Sequence, residues 1–458
     1  MDPAEHKKPV LFAGLTRETL DAWLQRGMLG LVLAVLVFAP LASGAVRPSL
    51  FLVVQFLMAG LLLLWLARYW FGKTHRLLWT PVCWAVVGFV AYAVGRYATS
   101  GLEYAARQEL VRVLVYAALF LAILTNLHRQ EIVWFMVVAL VGLGAVLSLY
   151  AVEQWLTNRY FKPACGTFLS PDHLGGFLGM VMPIALSYTL TGRLRPVVRV
   201  LLGYAALMMM AGVAVTVSYG AWLAGGVALL VFFAIIMRQH SYRLAGLICL
   251  FIILSGSMVF YFASLRPRAK LLEAQAIYYE QPPQMGVWSA AWRMWLDHPW
   301  VGVGPGFFEE RFREYRPAGE KLQIPPGPVH NDYLQTLADW GLVGAMLVAL
   351  AWGLLFWGVF WGWKFIRRSS AGLTHKKSNK SAFVLGASLG LLTLLVQSFF
   401  SSNWRVPANA IVAVTLMALI SGHLRFASER FWVTQRLKGQ ILATILLGLS
   451  IVWLTSQN

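Results

Sequence analysis

Uninterrupted apolar runs, each about as long as a bilayer core is thick, recur along almost the whole chain. A helix needs about 20 such residues to cross a hydrocarbon core of about 30 Å. Runs of this kind lie at 28–46, 50–67, 78–95, 110–127, 132–152, 174–191, 197–217, 220–237, 244–262, 341–363, 382–400 and 408–424. A thirteenth, 440–455, is short, and fits either a span or a segment lying in the interface. Only 12% of the 458 residues are charged and 59% are hydrophobic, against about a quarter charged in soluble domains. The pattern predicts an all-α polytopic membrane protein with twelve or thirteen transmembrane helices.

The net charge of +19 would suggest nucleic acid as a partner of a soluble protein. Here it follows from membrane topology. With the N-terminus in the cytoplasm, the segments left inside are 1–27, 68–77, 126–131, 192–199, 238–243, 364–381 and 425–438. They hold 23 of the 38 Lys and Arg but only 6 of the 19 acids, as the positive-inside rule requires. The excess charge reports orientation and contact with membrane lipids, so no nucleic-acid partner is expected. Asp2, Glu5, Glu18 and Asp21 in the first 27 residues are unlike a cleaved signal peptide, so the first span is expected to direct insertion. Cys83 and Cys249 lie in apolar runs and Cys165 in an external loop, so no structural disulfide is expected.

These assignments divide the chain into a bundle of about nine spans over 1–262, a large external loop over 263–340 and further membrane helices over 341–458. The loop is not a linker. Leu271, Leu272, Gln275, Ala276 and Tyr279 recur at helical spacing, as do Trp288, Ala291, Trp292 and Trp295. Turn signals separate them at Gln281-Pro282-Pro283, His298-Pro299, Gly302 to Gly306 and Pro325 to Pro328. Tryptophan-rich amphipathic helices suit the headgroup level, where such a loop forms a lid. No Asp, Glu, Lys or Arg falls near the middle of a span, Arg112 coming nearest at about one turn from an outer end. Ion-coupled transporters place such groups at the midplane, so the pattern argues against a pump. Arg96, Arg107, Arg112, Arg159, Arg266, Arg268 and Arg405 instead mark the external ends, which suits an external anion.

Four pieces of sequence carry possible chemistry. In Pro328-Val329-His330-Asn331-Asp332-Tyr333-Leu334-Gln335, Asp332 and Gln335 have capping-box spacing. That puts His330 just before a helix N-terminus, where a neutral imidazole can take a proton from a hydroxyl. A loop histidine with local hydrogen bonds fits the same residues, and on residues alone that reading weighs more. The stretch Asp297-His298-Pro299 to Gly306 is glycine-rich enough for amides to approach a phosphate, but a tight turn between interfacial helices accounts for it more simply. Leu265-Arg266-Pro267-Arg268 could fork a pyrophosphate or merely snorkel at a helix end, with little to choose between them. The fourth piece, Gly166 to Gly176, opens the sixth span and includes His173.

Taken together these segments resemble the superfamily of bacterial O-antigen ligases and polymerases. The resemblance rests on His330-Asn331-Asp332-Tyr333-Leu334-Gln335 followed by Asp339-Trp340-Gly341-Leu342-Val343-Gly344, with the Asp297–Gly306 and Gly166–Gly176 pieces upstream. It implies a fold like the GT-C glycosyltransferases and a multi-pass protein of the inner membrane whose active site faces the periplasm. The implied reaction is metal-independent and cofactor-free. A glycan passes from a polyprenyl-pyrophosphate donor to an acceptor hydroxyl on lipid or glycan, in lipopolysaccharide or exopolysaccharide assembly. The chain has no Asp-x-Asp, in keeping with that. His330 would be the base, Arg266 and Arg268 would hold the pyrophosphate, and Asn331, Asp332, Tyr219 and His173 would support them. The family commonly has Ser-Arg-Gly where this chain reads Ser218-Tyr219-Gly220, so Arg405 and Arg112 become candidate substitutes for that arginine. A polymerase and a protein O-oligosaccharyltransferase share this chemistry. A lipid-linked glycan flippase would need an intramembrane charged cavity and repeat symmetry, neither of which is visible.

Overall fold

A computed structural model describes residues 17–71, 76–157, 163–238, 243–260, 262, 284–316, 327–368, 378–424, 431–434 and 444–452. The expected features at Leu271–Tyr279, Gln281–Pro283, Arg159, Arg266, Arg268 and Pro325–Pro326 lie outside these residues. The helices are α1 (Arg17–Leu41), α2 (Pro48–Phe71), α3 (Pro81–Ala98), α4 (Glu103–Asn126), α5 (Gln130–Thr157), α6 (Pro171–Thr191), α7 (Pro196–Val215), α8 (Tyr219–Met237), α9 (Arg243–Phe260), α10 (Gln284–Asp297), α11 (Phe308–Tyr315), α12 (Asp332–Arg368), α13 (Asn379–Gln397) and α14 (Pro407–His423). Among the described residues, ten helices are long and apolar enough to cross a membrane. Gly246–Gly256 and Pro407–His423 are shorter apolar helices at two further expected spans. Part of the 440–455 run is helical over 444–452.

Proline at the first turn starts α3, α6, α7 and α14, where its missing N–H costs nothing and its fixed φ favours the helix. At the centre of the bundle lies α6, with almost every side chain from Leu174 to Leu190 buried. It meets α13 nearly backbone to backbone: a Cβ on Gly390 would lie 2.1 Å from the Met180 carbonyl oxygen, and one on Gly386 2.6 Å from the Ile184 Cα. Small residues at helix crossings gain dispersion contacts that lipid cannot displace. This packing fixes the start of α6, and with it His173, against the loop that follows α13.

Polar contacts gather at the two ends of the bundle. At one end Arg68 pairs with Asp21 at 2.8 Å and donates to the Asn126 side chain. Two strands, β1 (Arg76–Leu78) and β2 (Trp432–Thr434), pair antiparallel there, with Leu77 opposite Val433. The backbone N–H of Arg193 donates to the Asn379 side chain. These contacts unite the segments that the charge count groups on one side of the membrane. Cys83, Cys165 and Cys249 are all free thiols.

Three sequence expectations change. The fourth helix begins at Glu103 rather than near 110, so Arg112 sits well inside it and not one turn from its end. The helix continues outward because its charges find partners. The tenth expected span begins at Asp332 and is broken at Gly341. Its N-cap is Asn331, whose side-chain oxygen accepts from the N–H groups of Tyr333 and Leu334, so Asp332 and Gln335 do not form the expected capping box. Asp332 accepts from the Trp404 N–H instead, and Gln335 bridges the Val329 N–H to Asp339.

Candidate active site around His330

His330 lies one residue before the Asn331 cap, exposed, with φ of +56°. Non-glycine residues take this left-handed conformation at a cost of about 1–2 kcal/mol, and such strain collects at functional sites. Its backbone is held from the loop joining α13 to α14: the His330 N–H donates to Ser402 Oγ and the Asp332 N–H to the Ser398 carbonyl. The carboxylate of Asp332 accepts back from Trp404 N–H at 3.0 Å. The ring of His330 is free of these bonds while its backbone is fixed.

The same loop carries the other candidate residues. Asn409 donates to the His173 carbonyl and to Asn403, and Gln397 donates to the Asp172 carbonyl. His173 lies near His330, and its buried Nδ1 has no partner among the described residues. Tyr219 opens α8 after the Ser218 cap and is 80% exposed. Its neighbour Gly220 packs against Phe400 and Gln397 of the same loop. Val217, just before, is a second non-glycine residue at positive φ, +52°. Three pieces of sequence, around His173, Tyr219 and His330, thus converge on residues 397–409.

Arg112 and Arg405 come together, but on carboxylates. Glu109 accepts from Arg112 at 2.6 Å and from Arg405 at 3.1 Å, and Arg405 also reaches Glu309 at 3.3 Å. Burial would lower the Arg405 pKa, but Glu109, Asp339 and Glu309 outweigh it and raise the value. The sequence reading missed Glu109, although its (i, i+3) spacing from Arg112 on one helix face was a visible signal. Nor do the loop glycines cradle an anion. The N–H groups of Val303 and Gly304 donate to the carbonyls of Ala338 and Asp339, and that of Gly302 to His298. The stretch is a turn clamped onto α12, with Asp339 in turn accepting from the Phe308 N–H. Among the described residues, no three of His, Cys, Asp and Glu converge as a cation site.

A bundle of apolar helices that carries a strained, exposed histidine at one polar end is the build of a membrane protein. Residues 204–349, which include His330, match the family described as O-antigen ligase. The match supports an enzyme of ligase or polymerase type in polysaccharide biosynthesis. No curated protein matches the sequence.

Proposed function

We propose that this protein is an O-antigen ligase-like glycosyltransferase, moving a glycan from a polyprenyl-pyrophosphate donor to an acceptor hydroxyl at the periplasmic face of the inner membrane. The observation that carries the reading is His330 itself. It lies inside the matched segment, exposed, on strained backbone tied down by Ser402 and Ser398. In the reaction a new bond forms between the acceptor oxygen and the anomeric carbon as the bond to the pyrophosphate oxygen breaks. His330 accepts the hydroxyl proton, and polyprenyl pyrophosphate leaves as the anion. A fixed backbone with a free ring orients the base before the substrate arrives. His173 positions or polarises His330 from the start of α6.

Arg266 and Arg268 hold the departing pyrophosphate on this reading, since charge-assisted contacts with guanidinium match phosphate geometry. Arg112 and Arg405 brace the site instead, because both are already bonded to Glu109. The test measures release of polyprenyl pyrophosphate by purified protein given a lipid-linked glycan and a panel of acceptors. Acceptor-dependent release that survives EDTA and falls at least about 100-fold in His330→Ala supports the reading. Release by His330→Ala equal to that of wild type refutes the assignment of the base.

A further inference from the structure

On the flank of α12 lined by α3 and α4, the bundle forms a half-open cavity of about 270 Å³. One end is polar, with Glu109, Arg112, Asp332, Asp339 and Arg405 in its wall; the remainder is apolar and includes Phe89, Phe120 and Met417. Along α4 the lining extends from Glu109 to Phe120, about 16 Å at 1.5 Å per residue, or roughly half of a bilayer core. The cavity is therefore as deep as one leaflet. Its wall also holds two donors without acceptors: the Tyr116 hydroxyl and the Trp404 indole N–H are buried and unpartnered among the described residues. Buried donors of this kind require an acceptor from a ligand or water.

The charge balance selects among ligands. Three carboxyl groups face two guanidiniums in the wall, both guanidiniums are bonded to Glu109, and Arg405 is also bonded to Glu309. A phosphate would find both guanidiniums already bonded to glutamates, whereas an uncharged oxygen satisfies Tyr116 and Trp404 directly. We infer that this cavity binds a single hydrocarbon chain ending in an uncharged oxygen, such as a monoacylglycerol or an isoprenoid alcohol. The cavity's polar end shares Asp332, Arg112 and Arg405 with the candidate active site, but the nature of its occupant does not rest on the transfer reaction.

The test uses the full chain in phosphatidylcholine nanodiscs with a photoactivatable twelve-carbon monoacylglycerol, and maps the cross-links by mass spectrometry. Labels are expected on peptides carrying 85–90, 113–120, 347–352 and 410–417. Competition by unlabelled monolaurin against farnesol distinguishes the acyl from the isoprenoid source, and dodecyl phosphate is expected to compete about tenfold more weakly than either. Ala351→Phe, which fills the cavity, reduces labelling at least about fivefold. Tyr116→Phe removes one donor and reduces it about threefold to tenfold; this variant carries the test if the filled one does not fold. Labelling confined to lipid-facing side chains such as Phe251 and Phe360, labelling unchanged in Tyr116→Phe, or dodecyl phosphate competing as well as monolaurin overturns the inference.

Discussion

At His330 the strain and the proposed chemistry occupy one residue, and they can be separated. Glycine adopts φ of +56° without the Cβ penalty that histidine meets. His330→Gly is therefore expected to raise unfolding stability by up to about 1 kcal/mol over wild type while abolishing transfer. His330→Ala loses transfer without that gain. Thermal melts of the three proteins side by side check this, and a glycine variant less stable than alanine would remove strain from the account. Glu109 presents the opposite case, a residue whose value is electrostatic. With Glu109→Gln, the guanidiniums of Arg112 and Arg405 lose the carboxylate that lies 2.6 and 3.1 Å away. Leaving buried charge uncompensated costs about 3 kcal/mol or more. A double-mutant cycle with Arg405→Met should recover part of that loss, and full additivity would show that the pair is not coupled.

Among the elements, α12 joins the polar end that carries His330 to the apolar bundle. Its break at Gly341, with φ of +64° and ψ of −169°, lets the first two and a half turns or so lie against the glycine-rich turn while the remainder crosses the bundle. A Cβ at position 341 would lie 2.4 Å from Gly302 N and 2.5 Å from the Trp300 carbonyl group. Neither side of that contact is a flexible side chain. Gly341→Ala is expected to cost at least about 3 kcal/mol from strain and overlap together, seen as loss of folded protein on size exclusion. A monodisperse, fully stable Gly341→Ala protein would mean the joint tolerates a side chain. The residues of this joint were legible in the sequence as Gly302, Gly304 and Gly341, but their purpose was not. The sequence favoured a tight turn over amides open to a phosphate, and the fold shows what that turn is clamped to, the carbonyls of Ala338 and Asp339.

For the molecule as a whole, the polar contacts test the topology without reference to the charge count. The β1–β2 pair joins residues more than 350 positions apart, and both strands flank segments that the positive-inside rule assigns to one side. Leu77→Cys combined with Val433→Cys should form a disulfide under mild oxidation, read as a mobility shift on non-reducing gels. Failure to cross-link would separate those segments and undo the shared-side assignment.

The sequence by itself determined the solvent, the approximate number and order of the spans, and the histidine motif. Apolar length and charge asymmetry act locally, and lipid imposes them on each segment separately. It also held the His330, His173 and Tyr219 pieces of the candidate site as separate phrases. The tertiary structure decided that His330, His173 and Tyr219 gather on the loop after α13, because that loop's position depends on the close packing of α6 against α13. It likewise decided that Arg112 and Arg405 face Glu109 and that Asn331 caps α12. Pairing of charges and satisfaction of N–H groups depend on which residues arrive as neighbours, and residues 296 positions apart, as Glu109 and Arg405 are, become neighbours only through the fold.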